Sequence, residues 1–382
     1  AAKARSIQCS RCIVPWQNQK EARAIEGIEV IGAETLEQVL TYLQTGEIPK
    51  IEENIQEEAE NPKEKPDFYE VHGQDGAKRA ALVAAAGFHN LLMIGPPGAG
   101  KSMIASRIPG ILPSMTEEEA IELSAIYSVI GKLPPNGSLI KERPFRAPHH
   151  TITAKALCGG GTIPGPGEIS LAHCGVLFLD ELPEFHRETL EVLRQPLENG
   201  SMQIHRCGYT YDFPAQFMLV GAMNPCPCGF YPDLSRCHCS YTAVRRYQEK
   251  ISMPLLDRMD MMIEVSALSY PQWNQKTQEM SSTQMKKKVE RVREIQKERR
   301  KGQSFLFNSR MGNQELEEYC ALGTQEKKLM KKAFDELKMS ARGYTKILKV
   351  ARTIADLEEK EWIQTEHLQE ALCYRTGNGI YR

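Results

Sequence analysis

Leu91-Leu92-Met93-Ile94-Gly95-Pro96-Pro97-Gly98-Ala99-Gly100-Lys101-Ser102-Met103 is the stretch on which the fold of this chain turns. Four apolar residues without a polar break read as a strand buried on both faces. The next eight residues fit G-x-x-x-x-G-K-[ST], and Met103–Arg107 continues as a helical stretch. Strand, glycine-rich turn and helix, in that order, are the context this motif requires. The glycines let successive backbone N–H groups turn inward around phosphate oxygens, and the helix N-terminus adds its partial positive charge. The predicted site is therefore Gly95, Pro96, Pro97, Gly98, Ala99, Gly100, Lys101, Ser102 and Met103. Lys101 is placed to reach the β- and γ-phosphates of a nucleotide, and Ser102 to ligate Mg²⁺.

Two further apolar runs follow. Val176–Leu179 ends in Asp180-Glu181, and Phe217–Val220 runs through Gly221-Ala222-Met223 into Asn224. Runs of this kind between helical segments predict an α/β fold with a parallel sheet. Behind a phosphate-binding loop, Asp180 can hold the Mg²⁺ shell and Glu181 can act as general base on the attacking water. The amide of Asn224 can orient that water or touch the γ-phosphate. An Asn before Pro225 can equally be a turn former.

Working outward, 382 residues allow two or three domains, each able to bury a core. Hydrophobic residues at 41% and charged residues at 25% are ordinary for a globular chain. A net charge of -1 excludes a histone-like or arm-like nucleic-acid binder but leaves room for a local basic patch. Apolar runs stay short of the roughly 18 residues that span a bilayer. Leu82–Ile94, the densest, is broken by His89 and Asn90. The N-terminus has no signal-peptide pattern and no Met, so a trimmed or partial chain in the cytoplasm is expected. The 11 cysteines form no even ladder and read as reduced thiols, with a metal site as the exception to test.

Residues 1–50 read as a small α/β piece. The end of a helix at Ala1–Arg5 precedes short strands at Cys12–Val14 and Glu29–Ile31. A helix at Thr35–Leu43 carries Leu36, Val39, Leu40 and Leu43 as its apolar stripe, with Gly46 just beyond it. Residues 51–66, with six Glu and prolines at 62 and 66, read as an acidic linker. Residues 67–265 form the α/β core. They include a Gly/Pro-rich insertion at 131–168 and a cysteine-rich loop at 225–240. Residues 266–312 hold a basic linker helix, whose run 286–301 reads as a solvated face rather than a DNA-binding one. Residues 313–382 read as helices without strands, a helical lid.

The order of P-loop, Leu-Phe-Leu-Asp-Glu at 177–181, Met223-Asn224, Leu255-Leu256-Asp257-Arg258 and Ser340-Ala341-Arg342 resembles an AAA+ ATPase. The strings ERPFRAPHHT, PGPGEISLAHCGVLFLDELPEF, GAMNPCPCG, PLLDRMD and ARTIADL resemble the ComM/YifB family of magnesium-chelatase-like proteins over residues 67–380. Residues 1–50 resemble the end of that family's Lon-like domain. The resemblance implies an AAA+ core with a helical lid, ATP and Mg²⁺ as cofactors, and a homo-oligomeric ring, a hexamer. It places Asn224 as sensor 1, Arg258 as the arginine finger and Arg342 as sensor 2, acting on its own or the adjacent nucleotide. Lone arginines carry no signal by themselves, and a salt bridge is the plain alternative for both.

The same resemblance makes 131–168 a pore-facing insertion, with Lys141, Arg143, Arg146, His149, His150 and Lys155. It likens Met202–Phe213 to a pre-sensor hairpin, with a Cys207-Gly208 turn, His205, Arg206, Tyr209 and Tyr211. Basic and aromatic tips suit nucleic-acid backbone and bases, although packing between subunits would explain them too. Adjacent His149 and His150 fit a polar loop better than a shared metal. Cys226, Cys228, Cys237 and Cys239 form C-x-C-x8-C-x-C, four thiolates able to close a structural Zn²⁺ site, though C-x-C is tighter than the usual knuckle. Cys9-x-x-Cys12 lacks a second pair and reads as part of the small domain's core.

The expected function is a cytoplasmic ATP-hydrolysing ring motor acting on single-stranded or branched DNA. It is that of a branch-migration helicase in recombination of transforming DNA, without a membrane partner. The alternatives are a magnesium-chelatase-type motor for metal insertion into porphyrin, a MoxR-like chaperone acting on protein, and a scaffold that holds ATP without turnover.

Overall fold

The computed structural model describes residues 1–47, 66–134, 138–161, 164–206, 208–267, 280–300 and 307–375. The acidic stretch 51–65 and Cys207 of the expected hairpin turn lie outside the described residues. The chain divides into two units, Ala1–Glu64 with Met115–Glu142 and Lys65–Ser114 with Arg143–Arg382.

In the first unit, β1 (Arg11–Pro15) and β2 (Glu29–Ala33) pair in parallel, Arg11 opposite Glu29. The helix Leu36–Thr45 starts where Thr35 Oγ1 accepts from the Gln38 N–H at 3.3 Å, and it stops at Gly46 in the left-handed conformation. Its expected stripe is not the buried face: Leu36, Leu40 and Leu43 are exposed and Tyr42 is buried. A two-stranded sheet covers only one narrow side of a helix, and here that side carries Tyr42. Cys9 is likewise exposed and Cys12 half-buried, so the expected core role of this pair does not hold for Cys9. The helix Glu117–Val129 begins with a capping box between Thr116 and Glu119.

The second unit contains β3 (Leu91–Ile94), β4 (Phe145–Arg146), β5 (Gly159–Gly160), β6 (Gly165–Pro166), β7 (Val176–Leu179), β8 (Ser201–Arg206), β9 (Tyr209–Pro214), β10 (Met218–Met223) and β11 (Met261–Glu264). Five of these form one sheet in the order β11-β3-β10-β7-β4, every pairing parallel. The three inner strands are the ones expected from apolar runs; the edges β4 and β11 were not anticipated. β5 pairs with β6, and β8 with β9, as separate antiparallel ribbons.

Side chains alternate along each strand, so the two faces bury different sets. Leu91, Met93, Phe178, Met218 and Val220 join a core built with the helices Asp75–Gly87, Lys101–Ile111, Ser282–Arg299 and Ala341–Leu357. Leu92, Ile94, Leu177, Leu179 and Leu219 pack on the other face with Leu182, Leu190, Phe217 and Leu255. Continuous apolar strands follow directly from this double burial.

The basic helix Ser282–Arg299 buries Met285, Val289, Val292 and Gln296, and the Gln296 amide donates to Ala86 O at 3.1 Å. Its end is tied to the C-terminal helices through Asp356. That carboxylate takes Arg352 Nε at 3.0 Å, Asn308 Nδ2 at 2.8 Å and the Arg299 guanidinium. Arg352 is 1% exposed and also donates to the Glu361 carbonyl at 2.7 Å. The described residues 307–375 are helical without strands, as expected for a lid. Among the described residues no helix is long and apolar enough to cross a membrane.

Candidate nucleotide site

β3, β10 and β7 lie side by side and parallel, so their C-terminal ends emerge at one edge. β3 delivers Gly95–Lys101, β7 delivers Asp180 and Glu181, and β10 delivers Asn224. Three distant stretches of sequence thus meet in a cavity of about 360 Å³. It is lined by Pro97 to Met103, Asp180, Glu181, Met223 and Asn224. A Cβ on Gly95 would stand 2.0 Å from the Val265 carbonyl, so the loop needs glycine there. Gly98 and Gly100 take positive φ, 75° and 88°, which turns the backbone into a cradle and launches the helix Lys101–Ile111.

Lys101 is buried. Its Nζ donates to Gly95 O at 2.7 Å, Pro96 O at 2.9 Å and Asn224 Oδ1 at 3.2 Å. Burial pulls its pKa below the ordinary lysine value, against the raising effect of the Asp180 and Glu181 charges. Ser102 Oγ donates to Asp180 Oδ2 at 2.7 Å. Two hard oxygens so close to the cradle fit a Mg²⁺ ion. Glu181 is exposed and sits at φ 50°, a left-handed conformation that costs a side-chain-bearing residue about 1–3 kcal/mol. Its Oε2 lies 3.3 Å from His150 Nδ1. His150 was expected as part of a polar, pore-facing loop and not at the nucleotide site. Sequence spacing carries no signal for a contact between residues 31 positions apart, and the structure alone supplies it.

The two arginines lie elsewhere. Arg258 Nη2 meets Glu198 Oε1 at 2.5 Å and its Nη1 donates to Pro254 O at 2.6 Å. Arg342 Nη2 approaches the same Glu198 oxygen at 3.6 Å. Both line a second cavity of about 310 Å³, with Arg310, Lys346 and Lys349 and with Asp257 and Asp260. Burial opposes ionisation of Asp260, but Lys346 at 2.9 Å and His89 at 3.8 Å hold its pKa well below the usual carboxylate range. Burial also lowers the pKa values of Lys346, Lys349 and Arg310. Glu198, which gathers the two arginines, was not anticipated.

Among the pore candidates, Arg143 is buried and donates to Pro113 O and Cys174 O, both at 2.6 Å. Arg146 forms a bidentate pair with Glu168 at 2.6 and 2.7 Å. These two are scaffold groups rather than free basic tips, a correction to the expected role. Lys141, His149 and Lys155 are exposed. The expected hairpin is present as β8-β9, with His205, Tyr209 and Tyr211 exposed. The side chain of Arg206 lies outside the described residues. The sulfurs of Cys226, Cys228, Cys237 and Cys239 all lie within 4.8 Å of one another.

A parallel sheet of this order, with a phosphate loop, an Asp-Glu pair and an Asn at adjacent strand ends, defines an AAA+ P-loop protein. Residues 67–273 match the family model of magnesium chelatase, subunit ChlI, and residues 279–375 that of the magnesium chelatase, subunit ChlI, C-terminal region. The chain is 46% identical over 369 residues to the competence protein ComM of Haemophilus influenzae, covering 95% of this chain and 71% of that one. It is 40% identical over 370 residues to YifB of Escherichia coli, covering 96% and 71%. The magnesium-chelatase 38 kDa subunit of Rhodobacter capsulatus is 26% identical over 192 residues, 45% of this chain and 54% of that one. The chain belongs to the ComM/YifB family of magnesium-chelatase-like AAA+ proteins, an ATPase-type family.

Proposed function

We propose that the protein is a cytoplasmic ATP-driven ring motor that moves DNA, a ComM-like branch-migration helicase in recombination of transforming DNA. One observation carries the motor reading. Lys101, Ser102, Asp180, Glu181 and Asn224 share one cavity, while Arg258 and Arg342 line another. Among the described residues no arginine lines the nucleotide cavity to meet transition-state charge, a need that a neighbouring subunit's Arg258 fills. That arrangement requires a homo-oligomer, and a hexameric ring is the reading.

In this mechanism the N–H groups of Pro97–Ser102, proline excepted, cradle the phosphates. Lys101 exchanges its carbonyl partners for β- and γ-phosphate oxygens. Ser102 and Asp180 would hold Mg²⁺, which supplies charge neutralisation on those oxygens. Asn224 orients the attacking water and Glu181 takes its proton, with His150 holding the carboxylate until then. Arg342 acts as sensor 2. The cysteine cluster is the candidate for a structural Zn²⁺.

DNA as the substrate is supported by the 46% identity to a competence protein. The exposed His205, Tyr209, Tyr211 and Lys155 also favour it, as side chains suited to backbone contact and stacking. The test is ATP turnover with and without single-stranded and branched DNA, with Glu181→Gln as control. Stimulation by DNA that vanishes in the variant is the expected result. Turnover indifferent to DNA would transfer the reading to a chelatase-type or chaperone-type motor. Absence of turnover in rings that hold nucleotide would leave only a scaffold.

A further inference from the structure

Residues 224–240 link β10 to the helix Tyr241–Gln248 without helix or strand. The loop is closed by turns such as Gly229 N–H to Cys226 O at 3.0 Å and Cys237 N–H to Asp233 O at 2.8 Å. Its apolar content is slight: Cys226 and Cys237 are buried together with Val244 of the following helix, and Phe230 and Tyr231 pack against them. Arg236 covers the Phe230 ring at 4.0 Å. A core this small does not hold a 17-residue loop in one conformation, and loops of this kind are stapled by another bond.

The sulfurs supply the staple. Cys226 and Cys228 Sγ are 3.4 Å apart, Cys226 and Cys237 3.8 Å, and Cys228 and Cys237 3.6 Å. A disulfide brings its sulfurs to about 2.05 Å. A tetrahedral zinc site with Zn–S of about 2.3 Å separates its sulfurs by about 3.8 Å. The observed spacings are those of the second geometry. The Tyr231 N–H also points at Cys226 Sγ, at 3.4 Å, an outer hydrogen bond of the kind that orients a thiolate ligand. Four thiolates in a tetrahedron select zinc or an iron–sulfur centre among the common metals.

The loop also touches the nucleotide cradle. Gly229 takes φ +86°, and a Cβ there would stand 2.4 Å from Pro97 Cδ, so its backbone rests directly on the phosphate loop. Cys226 follows Asn224 by two residues, and Pro227 lines a cavity shared with Asn224 and Glu181. At the far end of the helix, the Gln248 amide donates to Pro225 O at 3.1 Å.

We propose that Cys226, Cys228, Cys237 and Cys239 bind one Zn²⁺, each giving its thiol proton to solvent. The ion clamps this loop against Pro97 and Asn224, so that nucleotide affinity depends on bound metal. The second half rests on the nucleotide reading of the P-loop cavity; the first half does not.

The experiment counts metal by elemental analysis in the full chain purified under reductant without chelator. It then measures the Kd of a fluorescent ATP analogue before zinc removal, after it and after zinc is restored. One zinc per chain is expected, lost in Cys226→Ser/Cys237→Ser and kept in Cys9→Ser. To separate metal loss from misfolding of the double variant, zinc is also released from the unmodified protein by chelator, with the circular dichroism followed throughout. Removal should weaken nucleotide binding about fivefold or more, a loss of about 1 kcal/mol, and zinc should restore it. Metal-free protein as purified, iron with visible absorbance, or full zinc in the double variant would overturn the site. Zinc present but without effect on Kd would overturn the clamp. Lys101→Met separates the two readings, because it should keep zinc while losing nucleotide. An unmodified protein that holds zinc but never binds nucleotide would sink the nucleotide reading and the clamp, leaving the metal site standing.

Discussion

Replacing Lys101 by Met tests the nucleotide site most directly. Lys101 is 8% exposed, and its ammonium already donates to two carbonyls and an amide oxygen. Hydrogen bonds to a charged group contribute about 1.5–3 kcal/mol each, but burial has already lowered the lysine's pKa, so much of that gain is offset by desolvation. Of the three acceptors left behind, Asn224 lines the open cavity where water can reach it and only the Gly95 carbonyl bond is fully buried, and Met keeps a similar linear volume. Stability should therefore change by less than about 2 kcal/mol. Binding is a different matter. A phosphate charge about 4 Å from the ammonium interacts by about 4 kcal/mol at an effective dielectric of about 20. Release from the present acceptors takes back part of this. The remaining loss of about 3 kcal/mol corresponds to about a 100-fold rise in Kd. Titration of a fluorescent ATP analogue with Mg²⁺ gives the affinity, and a thermal melt gives the stability. A Kd within about threefold of the unmodified protein, with an unchanged melt, would refute the role given to Lys101 and the electrostatic argument with it.

Arg258→Ala should leave nucleotide affinity nearly intact and lower turnover by about 10³-fold, since its side chain lines a different cavity from Lys101. Mixed with Lys101→Met, it should regain part of the activity, because some interfaces then pair an intact Lys101 with an intact Arg258; unaltered turnover in the single variant would count against action in trans. Asp260→Asn should cost about 3 kcal/mol at neutral pH by leaving Lys346 without its buried partner. The folded pKa of Asp260 lies below the ordinary 3.8, so its ionisation stabilises the fold above about pH 4 and the contribution fades as pH falls further. Urea unfolding should show a flatter acid limb in the variant; parallel limbs would contradict the assignment.

The inner strands β3, β7 and β10 were legible because burial on both faces writes itself as an unbroken apolar run. The edges were not. β4 is only Phe145–Arg146 inside a Gly/Pro-rich insertion, and β11 follows Asp257-Arg258-Met259-Asp260, where charge masks a short run. The phosphate loop was legible because its chemistry is local, eight residues of fixed spacing. Glu198 and His150 depend on contacts across dozens of residues, which periodicity does not encode. The helix Leu36–Thr45 shows the converse error: its leucines mark an amphipathic helix but not which side meets the sheet. Arg143 and Arg146 show the same for charge, since a basic residue reads alike whether it meets solvent or a buried carbonyl.

The three strand ends that build the site are not equally secured. β3 passes straight into the helix Lys101–Ile111 after its glycine turn, and β7 into the short 3-10 turn Leu182–Glu184. Each of these delivers its polar groups from a backbone already fixed by regular hydrogen bonding. β10 instead opens into 17 residues without regular structure, and Asn224 is the first of them. Yet Asn224 holds Lys101 at 3.2 Å, so its position bears on the most sensitive contact in the cavity. A side chain at the mouth of an unsecured loop pays ordering entropy at each binding event, about 1–2 kcal/mol per backbone residue fixed. Four sulfurs within 4.8 Å of one another, two to fifteen residues beyond Asn224, close that loop where neither helix nor core does. A metal placed there acts on the nucleotide through geometry alone, without touching it.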